Sequence, residues 1–159
     1  MKKIGITGQS GFVGCHLYQT INLFKDEFTL INFNRSFFQD DASLDKFVVQ
    51  CEVIVHLAAL NRHNDQEVIY EMNTGLVKKL VASLERTKSK AHIIISSSTQ
   101  EERDNLYGKS KKDGRLMLSD WAKKAGGRIT GMVIPNVFGP FGHPFYNSVV
   151  ATFCHQISH

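Results

Sequence analysis

The stretch Thr7-Gly8-Gln9-Ser10-Gly11-Phe12-Val13-Gly14 is the most informative part of the sequence, because it places three glycines at three-residue spacing between two regular elements. The apolar run Lys3–Thr7 before it predicts a short buried strand. The residues from Phe12 to about Phe24 after it have the apolar spacing of an amphipathic helix. A glycine-rich turn between a strand and a helix is typical of the first unit of a doubly wound α/β domain.

Each glycine of this turn has a physical reason. Gly8 permits the tight turn, Gly11 lets backbone N–H groups approach a phosphate, and Gly14 lets the helix pack closely against the strand. The N-terminus of the helix adds partial positive charge. The turn therefore predicts a site for the pyrophosphate of a dinucleotide, and a tight turn without a ligand is the alternative.

Strands and helices alternate through the rest of the chain. We expect strands at residues 28–33, 53–57, 93–97 and 129–134, and helices at residues 44–49, 68–84 and 107–124. The glycine pair at residues 126–127 ends the last of these helices. This alternation predicts an α/β fold of the Rossmann type, a doubly wound parallel sheet with ligands bound at the carboxyl ends of the strands.

The loop after the second predicted strand indicates which dinucleotide is bound. An acidic residue there would accept hydrogen bonds from the 2′-hydroxyl of NAD(H), but the stretch Asn32–Phe37 has no carboxylate, and the first one follows at Asp40. Arg35 can pair with a 2′-phosphate, and Asn34 and Ser36 are further donors. NADP(H) is therefore favoured over NAD(H). The alternative is that Arg35 is a solvated loop charge.

Tyr107 and Lys111 are four residues apart in a predicted helix, which places both side chains on one face. A tyrosine moves a proton poorly near neutral pH because its pKa is ordinarily about 10, and a lysine cation beside it lowers that pKa. Ser98 follows the preceding strand and can hydrogen-bond an oxygen that changes charge. The three residues together predict hydride-transfer chemistry, although the Tyr-x-x-x-Lys spacing alone also occurs by chance in helices.

These motifs resemble the extended short-chain dehydrogenase/reductases, the NAD-dependent epimerase/dehydratase family. Besides the glycine turn and the Tyr-Lys pair, the resemblance is carried by His56-Leu57-Ala58-Ala59, Asn73, Ser96-Ser97-Ser98 and Pro135-Asn136-Val137-Phe138-Gly139-Pro140. It implies that Ser98, Tyr107 and Lys111 are catalytic. It also implies cofactor contacts in the turn and at strand ends, namely Gly8, Ser10, Gly11, Phe12, Val13, Gly14, Leu57, Ala58, Ala59, Asn73, Pro135 and Val137.

Three stretches are similar to the capsular-polysaccharide and O-antigen reductases of this family: residues 56–62, 96–100 and 146–154. This resemblance implies NADPH-dependent reduction of the C4 keto group of a UDP-linked 2-acetamido-2,6-dideoxy hexose, with a UDP-sugar as the substrate. Sugar epimerases usually carry a much longer insertion where this chain has residues 99–106, and Thr99-Gln100 stands where 4,6-dehydratases use an Asp-Glu pair. A nucleotide-sugar epimerase or dehydratase reaction is the alternative.

The short length predicts one whole domain followed by part of a second one. We expect residues 1–140 to form the NADP-binding Rossmann domain and residues 141–159 to begin an incomplete substrate-binding segment, a truncated substrate lobe. A further alternative is then a binding-only Rossmann module without turnover. The segment 141–159 is rich in apolar residues, and we expect self-association into a homo-oligomer to cover them.

Composition argues against several other classes of protein. Apolar residues make up 42% and charged residues 21%, as in a globular protein, and the net charge of +4 is too dispersed to favour nucleic-acid binding. No apolar run approaches the ~20 residues of a membrane span, and Met1–Ile4 leads directly into a strand, so we expect no membrane and a cytoplasmic location. Three cysteines without a metal-ligand spacing predict buried thiols, and no metal site is expected.

Overall fold

The computed structural model describes residues 1–158, which contain five strands and five α-helices. The strands are β1 (Lys2–Thr7), β2 (Phe28–Ile31), β3 (Val53–His56), β4 (His92–Ser98) and β5 (Arg128–Ile134). The α-helices are α1 (Phe12–Asn22), α2 (Asp41–Gln50), α3 (Gln66–Arg86), α4 (Leu106–Ala125) and α5 (Val149–Ser158). Two short 3-10 helices, Arg35–Gln39 and Thr99–Glu102, follow β2 and β4.

The five strands form one sheet in the order β2-β1-β3-β4-β5, and every neighbouring pair is parallel. The chain leaves β1 for β2 on one side and then returns past β1 to β3, so the strand order reverses between β1 and β3. Thr7 pairs with His56 at the carboxyl end of this reversal, where α/β sheets form a crevice for ligands. The predicted doubly wound parallel sheet is confirmed.

The middle of the sheet, at β1 and β3, is buried on both faces, since these strands are apolar on both sides. Helices α2, α3 and α4 pack on one face, where the core includes Phe47, Leu80 and Ile93. Helix α1 packs on the other face, against Ile4, Ile6, Val53 and Val55. Strand β5 lies at the edge of the sheet and is largely exposed.

Side-chain caps fix where three of the helices begin. The carboxylates of Asp40 and Asp65 accept backbone N–H groups at the start of α2 and α3, and the Asn105 side-chain oxygen does so at the start of α4. Gly126, with φ of +64°, ends α4 in a left-handed conformation, as its position in the sequence predicts. Helix α1 differs from these helices because it follows Gly11 and has no side-chain cap.

The C-terminal segment is as exposed as its sequence suggests, although α5 itself is not among the predicted helices. Helix α5 has no buried residue, and Phe141 is 95% and Ile157 86% exposed. Self-association of this segment, like the domain boundary at residue 140, stays a prediction. The expectation of three buried thiols is wrong, because Cys51 is buried but Cys15 and Cys154 are exposed.

Residues 1–158 meet neither the requirements of a membrane-spanning helix nor those of a clustered metal site. None of their helices combines the length and apolar character needed to cross a membrane. They also contain no group of three or more His, Cys, Asp or Glu side chains that could hold a metal ion.

Leu118 and Leu116 of α4 allow a matched test of this packing, since Leu118 is fully buried and Leu116 is 45% exposed. We expect Leu118→Ala to lower the free energy of unfolding by about 3 kcal/mol, because the lost side chain leaves a cavity in the core. Leu116→Ala is expected to lower it by less than about 0.5 kcal/mol. Urea unfolding measures both values, and equal losses would contradict the packing of α4 against the sheet.

Candidate active site

The glycine turn is pressed against the end of β3, at the reversal of strand order. Gly8 has a φ of +81°, a left-handed conformation that favours glycine. A Cβ atom at Gly8 would lie 2.7 Å from the backbone nitrogen of Ala58, and one at Gly14 would lie 2.1 Å from the carbonyl oxygen of Gly8. Both positions are therefore restricted to glycine, and the N-terminus of α1 is brought to the crevice.

The N-terminus of α1 presents free backbone donors. The N–H of Gly11 bonds to the Gly8 oxygen at 3.0 Å, and the first bond within the helix runs from the N–H of Cys15 to the Gly11 oxygen at 2.8 Å. The N–H groups of residues 12–14 lie in between and have no acceptor within the helix. Three such donors at the positive end of a helix dipole form a site for a phosphate anion.

The side chains that the sequence assigns to this turn surround that site. Ser10 and Val13 are exposed beside the free N–H groups, Phe12 is half-buried and Gly14 is buried. The Phe12 ring meets the His16 ring edge-on, with the ring centres 5.2 Å apart. The structure therefore brings all the predicted turn residues to one end of α1.

Gln9 links this turn to the loop after β2, a function not predicted from the sequence. Its side-chain amide nitrogen donates to the Phe33 oxygen at 3.0 Å and to the Asn32 Oδ1 atom at 3.4 Å. Its Oε1 atom is buried and has no hydrogen-bond partner within residues 1–158. An orphaned acceptor beside free N–H donors fits a ligand that offers both anionic and hydroxyl groups, as a dinucleotide does.

The loop after β2 holds Arg35 at its surface. The Asn34 side-chain oxygen accepts from the backbone N–H of Ser36 at 3.0 Å and from the Ser36 hydroxyl at 2.9 Å, so these two residues bind each other. Arg35 is exposed and forms no ion pair with any described residue. The loop is ordered by its own hydrogen bonds, and its guanidinium is left available to an anion.

The loop after β3 forms the floor of the crevice. Leu57, Ala58 and Ala59 are half-buried, and the N–H of Leu57 donates to the Thr7 oxygen at 3.0 Å. Asn73 of α3 binds both backbone groups of Leu60, accepting its N–H at 2.7 Å and donating to its oxygen at 3.1 Å. Asn73 is 4% exposed and lines a small pocket with Ala58 and Lys111, so it holds this loop, and the cofactor contact that the resemblance implies stays a prediction.

Tyr107 and Lys111 lie one turn apart in α4, as predicted. The Lys111 Nζ atom is 5.8 Å from the centre of the Tyr107 ring and donates to the backbone oxygen of Ser96 at 3.3 Å. Lys111 is 8% exposed, and burial lowers its pKa to about 8. The structure therefore places an ammonium group of unusually low pKa beside a tyrosine ring.

The expectation that Lys111 lowers the pKa of Tyr107 is not met. Burial of Tyr107 raises the pKa of its phenol, and the nearby Tyr146 adds to the rise. The physical reason is that removal from water disfavours the phenolate. Tyr107 is consequently protonated throughout the neutral pH range, which is the form that can donate a proton.

Ser98 ends β4 and lies close to the start of α4. Its hydroxyl oxygen accepts from the N–H of Gln100 at 3.2 Å, and the residue is 9% exposed. A Cβ atom at Gly108 would lie only 2.0 Å from the Gln100 oxygen, so the first turn of α4 packs directly on this segment. The contact fixes the position of Tyr107 relative to Ser98.

An ion pair not predicted from the sequence joins the buried Glu101 to the half-buried Arg115. The Glu101 carboxylate accepts two hydrogen bonds from the Arg115 guanidinium, at 2.6 and 3.0 Å, and a third from the Ser97 hydroxyl. The hydrogen bonds from Arg115 hold the pKa of Glu101 below its ordinary value. No sequence signal marks this pair, because Glu101 and Arg115 lie in different elements.

His56 closes the base of the crevice. Its Nδ1 atom lies 2.8 Å from the Thr7 hydroxyl, which ties the carboxyl ends of β1 and β3 together. Burial, with a smaller effect of Lys111, lowers the pKa of His56 to about 3. His56 is therefore neutral at physiological pH and acts as a structural residue. Pro135 and Val137 follow β5 and are exposed.

Comparison with known proteins gives concordant results. Residues 4–159 match the NAD dependent epimerase/dehydratase family. A UDP-2-acetamido-2,6-beta-L-arabino-hexul-4-ose reductase from Pseudomonas aeruginosa is 32% identical over 155 residues, which are 98% of this chain and 41% of that protein. The chain thus spans about two fifths of the length of this relative.

Solved structures agree with this result. The capsular polysaccharide assembling protein CapF from Staphylococcus aureus superimposes with a TM-score of 0.78 at 31% identity, over 98% of this chain and 40% of that one. The protein RMD from Pseudomonas aeruginosa, solved with NADPH, superimposes with a TM-score of 0.86 at 20% identity, over 99% of this chain and 60% of that one. With its glycine turn, sheet order and Tyr-Lys pair, the chain belongs to the NAD-dependent epimerase/dehydratase family, the extended short-chain dehydrogenase/reductases.

Proposed function

We propose that this domain is the catalytic part of an NADP(H)-dependent reductase that acts on the C4 keto group of a UDP-linked 2-acetamido-2,6-dideoxy sugar, in capsular or O-antigen polysaccharide biosynthesis. The observation that carries the proposal is that Ser98, Tyr107 and Lys111 lie at the carboxyl ends of the strands, as does the uncapped end of α1. The Pseudomonas aeruginosa relative, named for reduction of such a hexul-4-ose, supports this choice of substrate.

In this proposal the residues of the chain divide the work of one reduction. When bound, NADPH would supply the hydride for the carbonyl carbon of the sugar. The Tyr107 phenol donates a proton to the carbonyl oxygen, so that the C=O group becomes a CH–OH group. The Lys111 ammonium stabilises the resulting phenolate, and the Ser98 hydroxyl orients the carbonyl oxygen.

The cofactor is assigned to the donors on the carboxyl side of the sheet. The N–H groups of residues 12–14 would bind the pyrophosphate, and the exposed guanidinium of Arg35 would bind the 2′-phosphate. Leu57, Ala58 and Ala59 line the adenosine side, while Pro135 and Val137 lie on the nicotinamide side. The structure of RMD with NADPH, which shares this fold, is consistent with such an assignment.

The cofactor assignment predicts an effect confined to the phosphorylated dinucleotide. We expect Arg35→Ala to raise the Kd for NADPH about tenfold and to leave the Kd for NADH unchanged, because only NADPH carries the 2′-phosphate. Nicotinamide fluorescence measures both constants. Arg128→Ala, at the amino end of β5, is the matched control; an equal loss for both nucleotides would show that Arg35 does not read the phosphate.

The catalytic assignment predicts a loss of turnover without a loss of cofactor. We expect Tyr107→Phe to lower kcat for the UDP-4-keto sugar by about 10²- to 10⁴-fold while the Kd for NADPH stays the same. In the wild type, kcat is expected to fall as the pH rises through about 8, where Lys111 loses its proton. Unchanged turnover by Tyr107→Phe would remove the basis of the proposal, and NADPH binding without any turnover by the wild type would favour a binding-only module.

Burial of the Lys111 cation predicts that its removal stabilises the fold. The pKa of Lys111 is about 8 in the folded chain and 10.5 for a free lysine side chain, so below pH 8 the folded state carries a buried charge. We expect Lys111→Met to raise the free energy of unfolding at pH 7 by about 2 kcal/mol. Between pH 8 and 10.5 the unfolded wild type binds more protons than the folded one, so the advantage of the variant shrinks with rising pH.

Thermal unfolding of both proteins at pH 7 and pH 10.5 measures this effect. A variant less stable than the wild type at pH 7 would contradict the burial penalty. Lys112→Met, which removes an exposed lysine next in sequence, is the matched control and is expected to have little effect at either pH.

A further inference from the structure

Phe145 has an unusual backbone conformation just before a tyrosine. Its φ is +57°, a left-handed value that is strained for a residue with a bulky side chain. Its N–H donates to the Thr152 hydroxyl of α5 at 2.9 Å, and its carbonyl oxygen accepts from the Arg62 guanidinium at 3.4 Å. Contacts on both backbone groups thus hold a conformation that the residue would not adopt alone, a situation common at functional sites.

Arg62 also holds the tyrosine that follows. Its guanidinium carbon lies 5.2 Å from the centre of the Tyr146 ring, within the range of a cation–π interaction. Arg62 forms no ion pair with a carboxylate among residues 1–158. The contacts of this arginine are therefore with the segment that carries Tyr146.

A chain of hydrogen bonds connects Arg62 to the first turn of α4. The Ser110 hydroxyl donates to the Tyr107 carbonyl oxygen at 2.7 Å, and the Asn73 side chain donates to the Ser110 hydroxyl oxygen at 3.1 Å. Asn73 in turn binds both backbone groups of Leu60, two residues before Arg62. The loop that carries Arg62 is thus fixed to the residue proposed to donate the proton.

The same arrangement brings the two phenols together. Arg62 holds the segment with Tyr146 against the loop after β3, which the Asn73–Ser110 hydrogen bond joins to the Tyr107 turn. Tyr146 also contributes to the raised pKa of Tyr107. Tyr146 is 43% exposed, and the Arg62 guanidinium lies over its ring. A second phenol beside the proposed proton donor is well placed to bind a polar group of the same sugar.

We propose that Tyr146 is a further substrate-contacting residue, whose hydroxyl binds the pyranose ring held at Tyr107, and that Arg62 is its positioning residue. The inference rests on the proposed reduction of a nucleotide-linked keto sugar. It assigns a function to two residues that lie 84 positions apart in the sequence and meet only in the fold.

The test is steady-state kinetics with NADPH and the UDP-2-acetamido-2,6-dideoxy 4-keto sugar. We expect Tyr146→Phe to raise KM for the sugar about fivefold to tenfold, through loss of one hydrogen bond, while the Kd for NADPH stays unchanged. Arg62→Met is expected to have a similar effect, and Arg62→Lys, which keeps the cation over the ring, to restore part of the loss. Tyr18→Phe and Arg128→Met are the matched controls and are expected to keep the wild-type KM.

A double variant separates positioning from direct binding. If Arg62 acts through Tyr146, then Arg62→Met combined with Tyr146→Phe raises KM no further than either change alone. Additive effects would overturn the positioning role of Arg62, and a wild-type KM in Tyr146→Phe would overturn the contact. Absence of turnover by the wild type would instead overturn the proposed function, and this inference with it.

Discussion

The close approach of Gly8 and Gly14 to neighbouring backbone holds α1 at the point where the strand order reverses. A Cβ atom at either position would collide with a backbone nitrogen or oxygen, so no rearrangement of side chains could relieve the contact. The free N–H groups of α1, the amide of Gln9 and the loop after β3 all take their positions from this contact. The phosphate site is therefore a consequence of backbone packing, which the core on both sides of the sheet supports.

Several cationic groups lie at the carboxyl ends of the strands, in a chain whose net charge is +4, and the carboxylates of Asp40, Asp65, Glu102 and Asp104 lie at these ends too. The dipole of α1, the exposed guanidiniums of Arg35 and Arg62, and the buried ammonium of Lys111 all lie on this side. Glu101 does not offset them, because two hydrogen bonds from Arg115 neutralise it. Burying Lys111 costs stability, and a protein would keep that cost only where a charge is useful next to Tyr107.

The fold could be predicted largely from local signals: apolar periodicity, the glycine turn and the glycine pair after α4 place the elements of the sheet within about three residues of their observed bounds. The pairing of Tyr107 with Lys111 could also be predicted, because helical spacing determines it. Contacts between segments that are distant in the sequence could not be predicted in this way. Glu101 with Arg115, His56 with Thr7, and Arg62 with Tyr146 meet only after the sheet forms. The sequence predicts a lowered pKa for Tyr107, whereas burial raises it, and burial is a property of the whole fold.

The hydrogen bonds between Asn34 and Ser36 have an evolutionary consequence. They let the loop after β2 keep its shape whatever side chain stands between them, and Arg35 itself supports no other part of the chain. Under the proposed assignment of Arg35 to the 2′-phosphate, mutation at this position would alter the choice between phosphorylated and unphosphorylated dinucleotide without a penalty in folding. Gly8 and Gly14 have no such freedom. Under the same assignment, selection would change cofactor preference in descendants of this domain much faster than it could change the glycine turn.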